Sequence, residues 1–169
     1  MNDLYQEILV KKKASAKDTA LKILVIAVTV LVLAAGVLFL TPLLLVGLVL
    51  CFVDFYFLLP QFDLEYEYLY VNGDIDVDKI MSKSRRKKVA SFSKDNLEVM
   101  APTGSAVLND YLNGAKVEDY SSGEENASTW TLVYSGEKSK TAAILELPDE
   151  LSEDMRRYAP RKVYLRQFS

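Results

Sequence analysis

The chain has 169 residues, with 20 Lys and Arg against 23 Asp and Glu, a net charge of −3, no His and one Cys. A single cysteine forms no intramolecular disulfide, so the fold is not a disulfide scaffold. Without His, and with Cys51 inside an apolar stretch, the chain lacks the usual general base and the usual soft metal ligands. The composition therefore argues against an enzyme and predicts neither a cofactor nor a metal site.

Residues 1–20 are predicted to form a short N-terminal arm. Four apolar residues recur at helical spacing, and four lysines come after them in the chain. An apolar stripe beside lysines is typical of a juxtamembrane helix on an anionic leaflet, where each basic residue contributes about 1 kcal/mol. The alternative is an arm that packs on the soluble domain or frays. The apolar residues are Leu4, Tyr5, Ile8 and Leu9, and the juxtamembrane lysines are Lys11, Lys12, Lys13 and Lys17.

An apolar block occupies residues 21–60. At about 1.5 Å per residue, one helix of that length would reach nearly 60 Å, about twice a hydrocarbon core of roughly 30 Å. Pro42 has no backbone N–H and disfavours helical geometry at Thr41, so the break is expected there. The sequence therefore predicts a transmembrane hairpin with helices over residues 22–40 and 43–59.

Charge at the ends of the hairpin indicates its orientation. Lysines precede the first helix, whereas the connection between the helices carries no charge. By the positive-inside rule, this places the N-terminus in the cytoplasm. Two crossings return the chain to the same side, so the domain over residues 61–169 is expected to be cytoplasmic as well.

Asp54 is the ionisable residue within the second predicted helix. Folding about the turn brings it level with Thr29, whose hydroxyl is expected to hydrogen-bond the carboxyl group. One interpretation is a proton or cation relay. The other, which we favour because no basic residue lies at that depth, is that Asp54 reaches the headgroup region or holds the hairpin to itself or to a second copy.

After the hairpin, the hydrophobic period changes from helical to alternating, which predicts a β-rich domain. Asn72-Gly73 is a strong signal for a turn between the first two predicted strands. A C-terminal helix is expected to open at Pro148, and the tail over residues 161–169 either adds an edge strand or lies on the membrane. The predicted strands cover 62–71, 75–80, 89–92, 97–100, 115–120, 128–135 and 139–147, with a short helix at 105–112 and a turn at Gly136-Glu137-Lys138.

A dense basic run leads into the third predicted strand. It is a candidate contact for anionic lipid or for an acidic protein surface; the alternative is a solvated loop and strand edge whose lysines deter edge pairing. From Gln61 onward the chain carries 15 Lys and Arg against 19 Asp and Glu, which argues against nucleic acid as a partner. The basic residues are Lys83, Arg85, Arg86, Lys87 and Lys88.

Seven strands followed by one helix is the element order of a pleckstrin-homology-like barrel, which residues 62–158 resemble. This likeness implies binding of lipid headgroups or proteins. In the phosphoinositide-binding pattern, basic residues flank a long loop between the first two strands. The chain departs from that pattern, because here this connection is predicted to be Asn72-Gly73.

The whole chain also resembles an uncharacterised family of small bacterial two-helix membrane proteins. The resemblance rests on the lysine-bearing arm, the hairpin, the segment from Phe62 to Asp74, Asp78-Lys79-Ile80 and the basic run. It implies a location in the bacterial inner membrane and brings no activity with it.

Together these features predict a membrane-anchored α+β protein, with an N-terminal transmembrane helical hairpin, a mainly antiparallel β domain and a C-terminal helix. We expect a non-enzymatic protein whose cytoplasmic domain binds a protein partner or a second copy, while the basic run contacts the leaflet. The alternative is a small accessory subunit or transport element of a membrane complex that uses Asp54.

Overall fold

The computed structural model describes residues 4–38, 41–136 and 139–165. The described parts of 13–65 and 80–86 form one compact unit, which contains two long helices. The described parts of 1–12, 66–79 and 87–169 form the other, which is rich in β-structure.

The first long helix, α1, covers Ala16–Leu38 and begins earlier than the predicted residue 22. A reciprocal cap explains the early start. The Asp18 N–H donates to Ser15 Oγ, and the Ser15 N–H donates to Asp18 Oδ2, each at 3.1 Å. This capping box satisfies two backbone donors that a helix end otherwise leaves without partners.

The second helix, α2, covers Thr41–Val53 and continues as a π-helical turn and then a 3₁₀ turn. The break predicted at Thr41-Pro42 is displaced, because both residues lie in the first turn of α2, where the missing N–H of Pro42 costs little. The predicted end at residue 59 is wrong, because Pro60 lies in the first turn of the 3₁₀ helix, where its missing N–H costs little. The π-helical turn is Asp54–Leu58, and the 3₁₀ turn is Leu59–Phe62.

Both helices are long and apolar enough to cross a bilayer. The apolar spans are Ala16–Leu38, with a mean hydropathy of 2.7, and Pro42–Phe62, with 2.4. Gly36 lets the two backbones approach, because a Cβ there would lie 2.5 Å from Leu44 N. The helices therefore pack as a close pair.

The prediction of a helix in the N-terminal arm is wrong. Residues Tyr5–Lys11 form a strand, β1, along which exposed side chains alternate with more buried ones, ending with the buried Val10. The Leu4 N–H donates to Asn72 Oδ1 at 3.0 Å, and the Asn72 N–H donates to the Leu4 carbonyl at 3.1 Å. The arm thus belongs to the β-rich unit, as the alternative interpretation held.

The described residues contain eight strands in two sheets, one strand more than predicted. The first sheet has the order β1-β2-β3-β4 and the second the order β5-β7-β8-β6. The predicted antiparallel pairing holds for β5 with β7 and for β7 with β8, but β6 pairs parallel with β8. The remaining strands are β2 Leu64–Val71, β3 Asp74–Met81, β4 Arg85–Phe92, β5 Leu97–Pro102, β6 Lys116–Asp119, β7 Trp130–Ser135 and β8 Lys140–Leu145.

The Asn72-Gly73 turn is confirmed, with φ values of 49° and 94°. It joins β2 to β3, however, and is therefore the second connection of the sheet. The first connection, from β1 to β2, is the helical pair itself. The expectation that a two-residue turn joins the first two strands is accordingly wrong.

Tyrosines from β2 form the centre of the β-rich core. The Tyr68 hydroxyl donates to the Tyr120 carbonyl at 2.6 Å. The Tyr70 hydroxyl donates to Asp154 Oδ2 at 2.6 Å, which ties β2 to the C-terminal helix. A 3₁₀ turn, Ala106–Leu108, and a short helix, α3 Asn109–Leu112, follow β5. The C-terminal helix, α4, covers Asp149–Tyr158 and is preceded by Pro148, as predicted.

The tail covers part of the β5 edge. The Met100 N–H donates to the Lys162 carbonyl, and the Tyr164 N–H donates to the Met100 carbonyl, each at 2.8 Å. Val163 forms a parallel bridge with Met100. Of the two roles predicted for the tail, the structure shows strand pairing for this part, whereas residues 166–169 and positions 137–138 of the predicted turn lie outside the described residues.

We predict that the β-rich unit unfolds at alkaline pH. Burial raises the pKa of four core tyrosines above the ordinary value of about 10. Above that pH the unfolded chain has lost these protons while the folded chain retains them, so the free energy of unfolding falls as pH rises. Tyrosinate absorbance and circular dichroism should change together. The tyrosines are Tyr68, Tyr70, Tyr120 and Tyr134.

Substitution by phenylalanine tests how each tyrosine hydroxyl affects the free energy of unfolding. Within the described chain the buried Tyr134 hydroxyl has no hydrogen-bond partner. We expect Tyr134→Phe to raise the free energy of unfolding by about 1 kcal/mol, and Tyr68→Phe to lower it by a similar amount because the Tyr120 carbonyl loses its donor. Destabilisation by Tyr134→Phe would contradict this account.

Candidate functional site

Thr29 and Asp54 are both buried in the helical pair and lie side by side. The Thr29 hydroxyl donates to Asp54 Oδ2, as the register of the hairpin predicts. Asp54 also begins the π-helical turn, in which its carbonyl accepts the Leu59 N–H. Such a turn widens the helix by one residue and is common at functional sites.

The surroundings of this pair are apolar. A groove of about 460 Å³ runs past Thr29 and Asp54, and its remaining lining consists of aliphatic and aromatic side chains and one thiol. The lining contains no basic residue, so the carboxyl group has the Thr29 hydroxyl as its polar partner there. The hydrogen bond between Thr29 and Asp54 thus links α1 to α2. The remaining lining residues are Ile26, Val30, Leu33, Cys51, Phe55 and Leu59.

The basic run is not the loop that the sequence analysis predicted. Strand β4 begins at Arg85, so only Lys83 lies in the β3–β4 turn. Ser82 and Lys83 have φ values of 47° and 55°, in the left-handed region that glycine and asparagine favour. The absence of Asn-Gly from this turn explains why the hairpin was missed. The Ser82 N–H donates to the Asp63 carbonyl at 2.9 Å and anchors the turn.

Members of the basic run have different partners. Lys88 Nζ lies 2.7 Å from Asp76 Oδ2. Burial opposes ionisation of Asp76, but hydrogen bonds from Lys88 and Ser91 outweigh it and lower the pKa of that carboxyl group. Arg86 and Lys87 are exposed on the same strand. The run is therefore not one uniform basic patch.

Arg85 contacts the aromatic end of α2. Its guanidinium carbon lies 4.1 Å from the centre of the Tyr56 ring and 5.8 Å from that of Phe57. The Tyr56 ring also stacks on Phe52, with ring centres 5.6 Å apart. These aromatic residues are distant from the basic run in the chain, so no local sequence pattern links the two.

A groove of about 290 Å³ lies beside Arg85 in the helical unit. One wall is mainly apolar, and the other carries two hydroxyl groups and the guanidinium. Phe55, in the apolar wall, is 78% exposed. The first wall consists of Phe55, Tyr56, Leu59 and Pro60, and the second of Ser82, Ser84 and Arg85.

The four N-terminal lysines lie in a strand, a connection and a helix, and not in one juxtamembrane helix. Lys11 is the last residue of β1, and Lys17 lies in the first turn of α1. Lys12 Nζ lies 5.6 Å from the centre of the Tyr66 ring, and Lys13 is exposed in the connection. Among the described residues no group of three or more His, Cys, Asp or Glu is placed to hold a metal ion.

One family model matches residues 2–165, and its description is Bacterial PH-like domain (DUF6106). The match covers the helical pair as well as both sheets. Comparison with curated proteins and with solved structures gave no match.

We predict that the Thr29–Asp54 hydrogen bond stabilises the helical pair. Thr29→Val removes the donor while keeping the shape, and we expect it to lower the stability of the pair by about 0.6 to 2 kcal/mol. Thr29→Ser retains a hydroxyl and is the matched control. Unfolding in mixed detergent, followed by helical ellipticity, measures the difference, and equal stability of both variants would contradict the prediction.

Proposed function

The chain belongs to the family of bacterial PH-like domains, and we propose that it is a non-enzymatic, membrane-anchored protein presenting this domain to a protein partner at the membrane surface. One observation carries the proposal: the helical pair is inserted between two neighbouring strands of one sheet. An anchor built in this way is part of the fold of the domain rather than an appended leader.

The connectivity favours one topology in the membrane. β1 leads into α1, the 3₁₀ turn leads into β2, and the two strands are neighbours. A helical pair that leaves one sheet and returns to it crosses a bilayer twice. Both of its ends are then on the same side, and the lysines that precede α1 favour the cytoplasmic side.

Contact with the anionic leaflet is the second part of the proposal. Lys83 is exposed in the β3–β4 turn, and Arg85 lies against the aromatic end of α2. Near an anionic surface, each basic residue contributes about 1 kcal/mol. Lys88 contributes less, because Asp76 already neutralises it.

The Thr29–Asp54 pair supports a second candidate function, in an accessory subunit or transport element. Ionisable groups within a membrane are costly, and their presence often marks a pathway for ions or protons. Asp54→Asn, which keeps an acceptor for the Thr29 hydroxyl, separates the two candidates. Normal assembly with loss of function would favour the transport role, whereas loss of assembly would favour the structural one.

We predict that the segment before α1 and the β-rich unit both react from the cytoplasmic side. In a Cys51→Ser background, Ala14→Cys and Glu124→Cys place single thiols at exposed positions before α1 and in the loop before β7. A membrane-impermeant maleimide should label both in inverted membrane vesicles and neither in intact cells. Labelling of the two positions from opposite sides would exclude two crossings, and labelling of both in intact cells would reverse the orientation.

A pull-down from detergent-solubilised native membranes tests the partner. We expect a stoichiometric protein partner with the intact chain and its loss when Arg85, Arg86, Lys87 and Lys88 are all changed to Ser. A second variant gives the same loss of charge elsewhere and should keep the partner. Equal loss in both variants would show a general charge effect, and no partner with the intact chain would contradict the proposal. The second variant carries Ser at Arg156, Arg157, Arg161 and Lys162.

A further inference from the structure

We propose that the groove beside Arg85 binds the phosphodiester group of an anionic phospholipid, with the Arg85 guanidinium as its cation. The ligand assignment rests on the membrane location proposed above, and it singles out one residue of the basic run. Lys87 and Lys88 have no place among the residues that line the groove.

The first argument is that Arg85 lacks an anionic partner. Within the described residues its guanidinium contacts aromatic rings, and no carboxylate lies within ion-pair distance of it. Other basic side chains of the domain do have carboxylate partners: Lys88, Lys116 and Lys140 each lie 2.6 to 2.7 Å from one. Arg85 is thus a half-buried cation that is held in place but not neutralised.

The contact with the Tyr56 ring, 4.1 Å from its centre, also restrains the guanidinium. An aromatic ring attracts the face of the cation and leaves the N–H groups at its rim available. These donors lie in one plane and match two oxygens of a phosphate group at once. Contact with Tyr56 therefore leaves Arg85 with donors that a phosphate group can use.

The two walls of the groove match the two parts of a phospholipid. Ser82 and Ser84 add hydroxyl donors beside Arg85, whereas Phe55 and Leu59 form an apolar wall that continues from α2. A volume of about 290 Å³ is just below the usual range for small-molecule pockets, roughly 300 to 1,000 Å³. It accommodates a headgroup, while the acyl chains run along the exposed Phe55 ring.

The β3–β4 turn adds a second positive charge. Lys83 has a φ of 55°, in the left-handed region, and this conformation costs a non-glycine residue free energy. It is exposed, one residue from the Ser82 and Ser84 hydroxyls that line the groove. Two cations favour a lipid with net negative charge over a zwitterionic one, whose own amine already balances the phosphate.

Native mass spectrometry of the full chain in mild detergent measures the binding of added phosphatidylglycerol. We expect one tightly bound lipid per chain, and about tenfold weaker binding for Arg85→Gln. Lys87→Gln makes the same charge change two residues along the strand and should bind as the intact chain does. Arg85→Lys should bind with intermediate strength, because an ammonium group keeps the charge but not the planar donor set.

Three outcomes overturn the assignment. Equal weakening by Arg85→Gln and Lys87→Gln would show general surface charge instead of a site. Equal binding of phosphatidylcholine would remove the selectivity for anionic lipid. Displacement of the lipid by an equal concentration of inorganic phosphate, with no effect of Phe55→Ala, would identify a free-phosphate site.

Two measurements keep these results interpretable. Circular dichroism shows whether Arg85→Gln folds, and if it does not, the comparison of Arg85→Lys with Lys87→Gln decides. Alkaline carbonate extraction of native membranes tests the membrane location separately. Release of the chain would contradict the proposed function, whereas retention combined with equal lipid binding by all variants would contradict only the lipid site.

Discussion

The pairing of β1 with β2 is the contact on which the architecture depends. It joins strands that flank the whole helical pair, so its formation closes a long connection. The entropy cost of closing a loop grows only slowly with length, by about 0.6 kcal/mol for each doubling. Part of that cost is offset by the helices, because they pack closely at Gly36 and are hydrogen-bonded between Thr29 and Asp54, so the second helix runs back along the first.

The reciprocal hydrogen bonds between Leu4 and Asn72 place the start of β1 beside the β2–β3 turn. In a sheet, a shift of one residue would move every side chain of β1 to the opposite face. Here that shift would expose Val10 and bury Glu7. The asparagine thus has two roles, since it adopts the left-handed conformation that the turn requires and fixes the register of a strand far away in the sequence.

The parts of the fold that could be predicted from sequence are those with a local physical cause. Pro42 fits only the first turn of a helix and so marks the start of α2, Asn72-Gly73 permits positive φ, and Pro148 with the acidic residues after it begins a helix. Each acts within a few residues, so no tertiary information is needed. The facing positions of Thr29 and Asp54 also follow from local geometry, because a short turn between two helices fixes which residues lie level.

The errors have a common origin in contacts between distant segments. A helix was one interpretation of the arm because its apolar residues recur at helical spacing, and only the presence of β2 as a neighbour shows that the arm is a strand. The omission of β1 then shifted the numbering of the remaining strands, so that Asn72-Gly73 took the place of the helical pair as the first connection. For this reason Asn72-Gly73, and not the helical pair, was compared with the long loop of the phosphoinositide-binding pattern.

With β1 included, the first connection of the sheet is the long helical insertion. In the phosphoinositide-binding pattern, this is the position of the long loop that basic residues flank. The insertion is apolar, and the basic residues before it lie in a strand, a connection and a helix. Their division among three elements departs from that pattern, in which basic residues flank one loop. Arg85, whose position against Tyr56 depends on the folded helical pair, instead provides a single oriented cation. The proposed site recognises one phosphate group and forms only when the helical pair and the β3–β4 turn have both folded.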